Sequence, residues 1–257
     1  HPGRNCDALG MAGTIVIGGD MTVKRLGFGA MRVTGPGIWG DPADPGEARR
    51  VLQRAVELGV NFIDTAEAYG PAVNESLIAA ALRPYPKGLV IATKGGIIRP
   101  SQEKWERDGR PVHLRAACEA SLKRLGLERI DLYQLHAIDP NVPLEESLGE
   151  IAKLQKEGKI RHVGVSNFDA DELARARKVV NVVSVQNRYN VSDRSSDPVL
   201  EACQRDGIAF IPWSPLSQSA RDSNAASRAA LDAWALERKV SLPQAAIAWL
   251  LARSPAM

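Results

Sequence analysis

Along the chain, short unbroken apolar runs alternate with longer segments in which apolar residues recur every three or four positions. The runs are Leu26–Phe28, Asn61–Asp64, Leu89–Lys94, Ile130–His136, Arg161–Ser166, Val182–Asn187 and Ala209–Pro212. Their apolar residues are consecutive rather than alternating with polar ones, the pattern of strands buried on both faces. Ahead of them, Thr14–Ile17 and Met21–Val23 flank Gly18-Gly19-Asp20 and predict an amino-terminal β-hairpin.

The longer segments carry helix signals. Asp44-Pro45-Gly46-Glu47 supplies an N-cap carboxylate, a proline at the first helical position and a glutamate three residues after the cap. Val51, Leu52, Ala55, Val56 and Leu58 continue it as one apolar stripe, and Gly59 stops it. Pro143 to Gly158 repeats the scheme with Leu144, Leu148, Ile151 and Leu154 on one face, and Asp169-Ala170-Asp171-Glu172 opens another helix. Strand and helix in strict alternation imply parallel strands joined by crossovers.

An open doubly wound sheet would carry a glycine-rich phosphate loop and a helix directly after its first strand. Gly27-Phe28-Gly29-Ala30 lacks the third glycine and the helix. The favoured fold class is therefore α/β, a (β/α)₈ TIM barrel with an amino-terminal hairpin, as a single domain over residues 1–257. Only seven strands are legible, and two helical stretches, Ala225–Arg238 and Ser241–Arg253, follow the last of them. The eighth strand and a carboxyl-terminal tail are thus expected to be missing from the chain, with Ser217-Gln218-Ser219 a shortened junction. Residues 1–11, which begin on His1 rather than Met, are set outside the fold expectation.

Composition changes this picture little but excludes some functions. Lys and Arg are dispersed among Asp and Glu for a net charge of +3, with no basic block suited to nucleic acid. The apolar stretch Ala245–Leu251 is too short to span a bilayer. Cys6, Cys118 and Cys203 are far apart and unpaired in spacing, which points to a reducing, cytoplasmic setting and to no metal site. Cys118 falls on the apolar stripe of a Val112–Leu125 helix and reads as core.

In a parallel barrel the reactive groups stand where the strands finish. Here the endings are polar: Asp64, Lys94, His136, Ser166-Asn167, Gln186-Asn187 and the lead into Trp213-Ser214. Asp64 and Lys94 on neighbouring strands are expected to pair, since neither tolerates burial alone. Tyr69 leaves the same strand as Asp64, and an adjacent ammonium is expected to lower its pKa toward neutrality. Such a phenol can exchange a proton with a carbonyl oxygen, with His136 placed to assist. Taken singly, Asp64 and Lys94 read equally well as a structural ion pair, whereas Tyr69 reads sooner as a surface-loop tyrosine and His136 as a satisfied core histidine. Glu67 reads as a solvated loop residue, and His113 and His162 show no partner.

Asp64-Thr65-Ala66-Glu67-Ala68-Tyr69-Gly70 resembles the signature of the aldo-keto reductase family. Leu26-Gly27-Phe28-Gly29, Thr93-Lys94, Leu135-His136, Gly164-Val165-Ser166-Asn167 and Val185-Gln186-Asn187 resemble its other landmarks in order, from about Met21 to the end. The resemblance implies a barrel that reduces small-molecule aldehydes or ketones with NADPH, or with NADH as the alternative, without metal or flavin. It implies a catalytic tetrad of Asp64, Tyr69, Lys94 and His136. It also implies nicotinamide contacts from Ser166, Asn167 and Gln186, ring stacking on Trp213, and a diphosphate-binding stretch at Ser214, Pro215 and Leu216.

The two long loops, Arg32–Asp44 and Gly95–Arg110, are expected to form the substrate pocket, with Ile38, Trp39 and Trp105 lining it. Gly35-Pro36-Gly37-Ile38-Trp39-Gly40 is similar to bacterial members that reduce pyridoxal. Two other readings compete. A regulatory subunit that holds NADPH with slow turnover is implied by channel-associated members of the family. A phosphate-substrate lyase on a like barrel would need a glycine-rich grip after the seventh strand, where Pro215-Leu216-Ser217 stands.

Overall fold

The computed structural model describes residues 12–216 and 225–257. Cys6 and the Ser217–Ser219 junction lie outside the described residues. Eleven strands and eight α-helices are found among the described ones. The hairpin is β1 (Thr14–Ile17) and β2 (Met21–Lys24), paired antiparallel with Ile17 opposite Met21.

The main sheet has seven parallel strands: β3 (Phe28–Gly29), β4 (Phe62–Asp64), β5 (Val90–Gly95), β8 (Ile130–Leu135), β9 (Ile160–Ser166), β10 (Val182–Arg188) and β11 (Ala209–Trp213). They lie side by side in chain order. The helices α1 (Pro45–Glu57), α2 (Val73–Leu82), α3 (Pro111–Leu125), α4 (Leu144–Lys156), α5 (Ala170–Ala176), α6 (Asp197–Asp206), α7 (Ala225–Arg238) and α8 (Leu242–Arg253) make up the rest. The caps read from the sequence are made: Asp44 accepts from the Glu47 amide, and Asp169 and Ser241 each complete a capping box.

The sheet curls into a barrel of the TIM type, and side chains meeting across its interior show it. Phe62 of β4, Val90 and Ala92 of β5, Leu132 of β8, Val183 of β10 and Ala209 of β11 form one buried cluster with Ile17, Met21 and Val23 of the hairpin. Across the interior Ser184 of β10 meets Gln134 of β8, strands that are not neighbours, and the hairpin seals the mouth at the strands' amino-terminal ends. Between strands and helices runs the larger core, which includes Leu148, Ile151 and Leu154 of α4 with Val163 and Val165 of β9.

Seven strands form the sheet among the described residues, as the sequence pattern predicts. Beside the free edge of β11, the Phe210 N–H donates to the Ala256 carbonyl at 2.8 Å. Arg25, just ahead of β3, donates to the Leu251 and Ser254 carbonyls, each at 2.8 Å. The last residues of the chain therefore tie the final strand to the first.

The loop expected over Gly95–Arg110 has structure of its own. Strands β6 (Ile97–Ile98) and β7 (Glu106–Arg107) pair antiparallel, so residues 99–105 are the tip of a small ribbon. No helix among the described residues is long and apolar enough to cross a membrane.

Candidate active site

Polar side chains gather at the carboxyl-terminal mouth. Lys94, the next-to-last residue of β5, is fully buried and spends its three ammonium protons on three oxygens. Nζ lies 2.8 Å from Asp64 Oδ2, 2.8 Å from the Thr65 carbonyl and 3.4 Å from the Tyr69 hydroxyl. The partners come from β4 and the loop leaving it. That loop stays beside β5 because the Thr65 and Glu67 amides donate to the Ala92 and Lys94 carbonyls. The Tyr69 N–H donates to the Ala66 carbonyl at 3.1 Å, closing a turn, and Gly70 follows at φ +73° where a Cβ would press on Thr34 and Val73.

Asp64 is oriented from the opposite side. Its Oδ1 accepts from Gln186 Nε2 at 2.9 Å, a bond that spans the barrel from β4 to β10, and from Gln134 Nε2 at 3.4 Å. His136, one residue past β8, packs edge-on to Tyr69 with ring centroids 5.9 Å apart. The four groups read from the sequence as a tetrad therefore stand together.

Burial corrects the expected ionisation of Tyr69. Removal from water disfavours the phenolate more than Lys94 favours it, so the phenol is pushed up rather than down, with the Asp64 charge adding to the rise. For Lys94, desolvation opposes the charge, but Asp64 and Tyr69 outweigh it and the ammonium is held above its ordinary range. His136 is held well below its ordinary value by burial and by Lys94, so its imidazole is neutral, and its Nδ1 has no hydrogen-bond partner among the described residues.

The next strand ends form a connected rim. Ser166 Oγ donates to the Gln186 carbonyl at 2.8 Å. Exposed Asn167, at φ +61°, donates to the His136 carbonyl at 3.0 Å and accepts from the Trp213 indole N–H at 3.0 Å. Trp213 is half-buried, with the Arg188 guanidinium 5.3 Å from its ring centroid. Ser214, also left-handed at φ +54°, is held through its carbonyl by Asn190 Nδ2 at 3.0 Å. Leu216 packs with Val191 and Leu231 against the last two helices.

Of the expected pocket residues, Ile38 packs against Ala66, Ala68 and Tyr69, whereas Trp39 and Trp105 flank Arg99 at 5.4 and 3.8 Å from their ring centroids. Met31 and Ile97 join Ile38 against the same cluster, and the sequence shows no sign of either. It also overlooked Gln134, although a glutamine inside the apolar run Leu132–Leu135 is a visible anomaly.

The reading of Glu67 as a solvated loop residue is corrected, and two histidines whose partners the sequence does not show gain them in the fold. Glu67 is mostly buried, accepting from the Gly96 amide at 2.9 Å and from His113 at 3.1 Å, because the loop folds its carboxylate back over β5. His113 accordingly has a partner, and its imidazole is raised by Glu67. His162 meets Asp20 of the hairpin turn at 2.6 Å.

A curled parallel sheet wrapped in helices, with buried charge at one mouth and an apolar seal at the other, defines an α/β-barrel enzyme. Comparison with known proteins makes the class specific. The profile of the aldo/keto reductase family matches residues 25–257. An uncharacterized oxidoreductase of Schizosaccharomyces pombe is 49% identical, across 96% of this chain and 79% of that protein. Pyridoxine 4-dehydrogenase of Escherichia coli is 40% identical, across 92% and 84%. Among solved structures, glycerol dehydrogenase from Gluconobacter oxydans superposes with a TM-score of 0.84 at 28% identity, across 95% of this chain and 84% of that one. An aldo-keto reductase from Klebsiella pneumoniae in complex with NADPH gives 0.76 at 25% identity, across 93% and 81%. The chain belongs to the aldo/keto reductase family, and it is an oxidoreductase of that family.

Proposed function

We infer that this protein reduces an aldehyde or ketone to an alcohol with NADPH, Tyr69 giving the proton to the carbonyl oxygen. One observation carries the reading: the Tyr69 hydroxyl sits 3.4 Å from a fully buried ammonium that a carboxylate holds in place. The mouth residues fit a nicotinamide. Trp213 is a half-exposed planar ring pinned by its edge, Asn167 presents an exposed amide, and Gln186 is locked in one orientation by Asp64. When bound there, the cofactor supplies a hydride to the carbonyl carbon. Ser166, Asn167 and Gln186 would hold its carboxamide, Trp213 would pack on its ring, and the Ser214–Leu216 stretch would receive its diphosphate. The NADPH complex of the Klebsiella pneumoniae relative supports that choice of cofactor.

The side chains divide the proton work by their environments. A phenol whose anion is disfavoured by burial remains protonated until the carbonyl oxygen gains charge. Lys94 then stabilises the phenolate left behind, and Asp64 keeps the ammonium aimed. Neutral His136 is suited to donate a hydrogen bond to the same oxygen without carrying a competing charge. Positioning and electrostatics are the protein's share of catalysis.

The pyridoxine 4-dehydrogenase relative supports pyridoxal as the first substrate to try. NADPH and NADH titrations by tryptophan quenching, followed by an aldehyde panel, test the function. Tyr69→Phe is expected to lower kcat by about 10²–10⁴-fold with cofactor affinity unchanged. Near wild-type turnover in Tyr69→Phe would remove Tyr69 as the acid. Cofactor binding without turnover of any carbonyl would favour a regulatory subunit.

A further inference from the structure

Arg99 occupies the tip of the β6–β7 ribbon, yet it is only 7% exposed, and no carboxylate pairs with it among the described residues. Its guanidinium instead fans onto carbonyls. Nη1 donates to Ile38 at 3.1 Å, Nη2 to Gly37 at 3.2 Å and to Gln102, and Nε to Lys104 at 3.2 Å. The guanidinium carbon lies 3.8 Å from the Trp105 ring centroid and 5.4 Å from that of Trp39. Gln102 adds a bond from Nε2 to the Pro36 carbonyl at 3.0 Å. Three successive carbonyls of one loop, at residues 36, 37 and 38, are thus bound by the tip of another.

The segment so held is strained. Ile38 is β-branched and sits at φ +58°, a conformation such residues adopt only when their surroundings impose it. The Gly70 amide completes the grip, donating to the Ile38 carbonyl at 3.1 Å. In that conformation Ile38 packs, with Ile97 and Met31, against the buried cluster of Ala66, Ala68 and Tyr69, an apolar wall on the Tyr69 side of the mouth.

We propose that Arg99 is a positioning residue that fixes Ile38 against Tyr69 and thereby sets which carbonyl compounds the pocket accepts. The proposal rests on Tyr69 as the proton donor. A planar guanidinium with several fixed N–H vectors is required, because a lysine ammonium cannot reach carbonyls on both loops while lying over the Trp105 ring. A ring-bearing aldehyde would lean on the Ile38 wall, whereas a three-carbon aldehyde would react at Tyr69 without reaching it.

Arg99→Ala and Arg99→Lys, with benzaldehyde and propanal as probes, test this. Both variants are expected to raise KM for benzaldehyde by at least about tenfold at little cost in kcat, and to change propanal kinetics by less than about threefold. NADPH affinity by tryptophan quenching is expected to stay unchanged. Any result in which the two aldehydes respond alike overturns the proposal. Hydrogen–deuterium exchange of the peptide spanning residues 35–40 supplies a readout free of activity, and should quicken in both variants. Trp105→Ala, at a residue 42% exposed, loosens the same grip without touching the carbonyl bonds and should quicken exchange if the arginine variants fail to fold. Unchanged exchange refutes the positioning role, even if wild type reduces neither aldehyde and the reductase reading has failed separately.

Discussion

Lys94 and His136 stand at one mouth with opposite responses to burial. The ammonium keeps its charge because Asp64 and Tyr69 compensate it, whereas burial and the Lys94 charge keep the imidazole neutral. An unfolded histidine takes up a proton near pH 6.5, and the folded one resists it. The unfolded state therefore binds more protons as pH falls, so stability drops by about 1.4 kcal/mol per unit below pH 6.5 until the folded imidazole itself titrates. His136→Asn is expected to flatten that component, seen as the difference in slope between wild type and variant in urea unfolding at several pH values. The identity of these groups was legible as strand-ending polar residues, and their meeting followed from the parallel topology. The Tyr69 shift was not, because a sequence shows the neighbouring charge but not the depth of burial. Glu67 and His113 were misread for a related reason: their partners lie 46 positions apart and meet only through the fold of a loop.

Among the elements, the strands were the clearest in the sequence and the loops the least. Continuous apolar runs report burial on both faces, and helix caps announce themselves through local hydrogen bonds, as at Asp44 and Asp169. The ribbon carrying Arg99 has strands of two residues each, too short for any periodicity to register. Gly164 shows what strand packing demands inside the barrel. A Cβ there would lie 2.2 Å from Ser184 Oγ and 2.9 Å from Gln134 Cγ. The glycine leaves room for the glutamine that reaches Asp64. Gly164→Ala is expected to destabilise the fold by roughly 1–3 kcal/mol through overpacking. It should also lower kcat more than it raises KM, since the displaced Gln134 supports Asp64 rather than substrate. Urea unfolding with steady-state kinetics checks both.

At the scale of the whole molecule, stability and chemistry are assigned to opposite mouths. The hairpin fills the amino-terminal one with Ile17, Met21 and Val23, while charge and hydrogen bonds occupy the other. Met21→Ala, at a buried position, is expected to cost about 2–5 kcal/mol in stability by leaving a cavity. Its NADPH affinity and kcat at moderate temperature should remain near wild type, which calorimetry and kinetics together would establish. A loss of affinity matching the loss of stability would mean that the two mouths are coupled.

Cys118 of α3 and Cys203 of α6 are both enclosed by apolar neighbours, and burial pushes each thiol up to about 12. At neutral pH neither offers a thiolate to an alkylating reagent while its helix is seated. In a Cys6→Ser background, iodoacetamide would therefore act as a clock, each sulfur recording how often its own helix lifts from the barrel. The two positions, on helices that follow the third and sixth strands of the sheet, would reveal by mass spectrometry whether those helices lift together or one before the other.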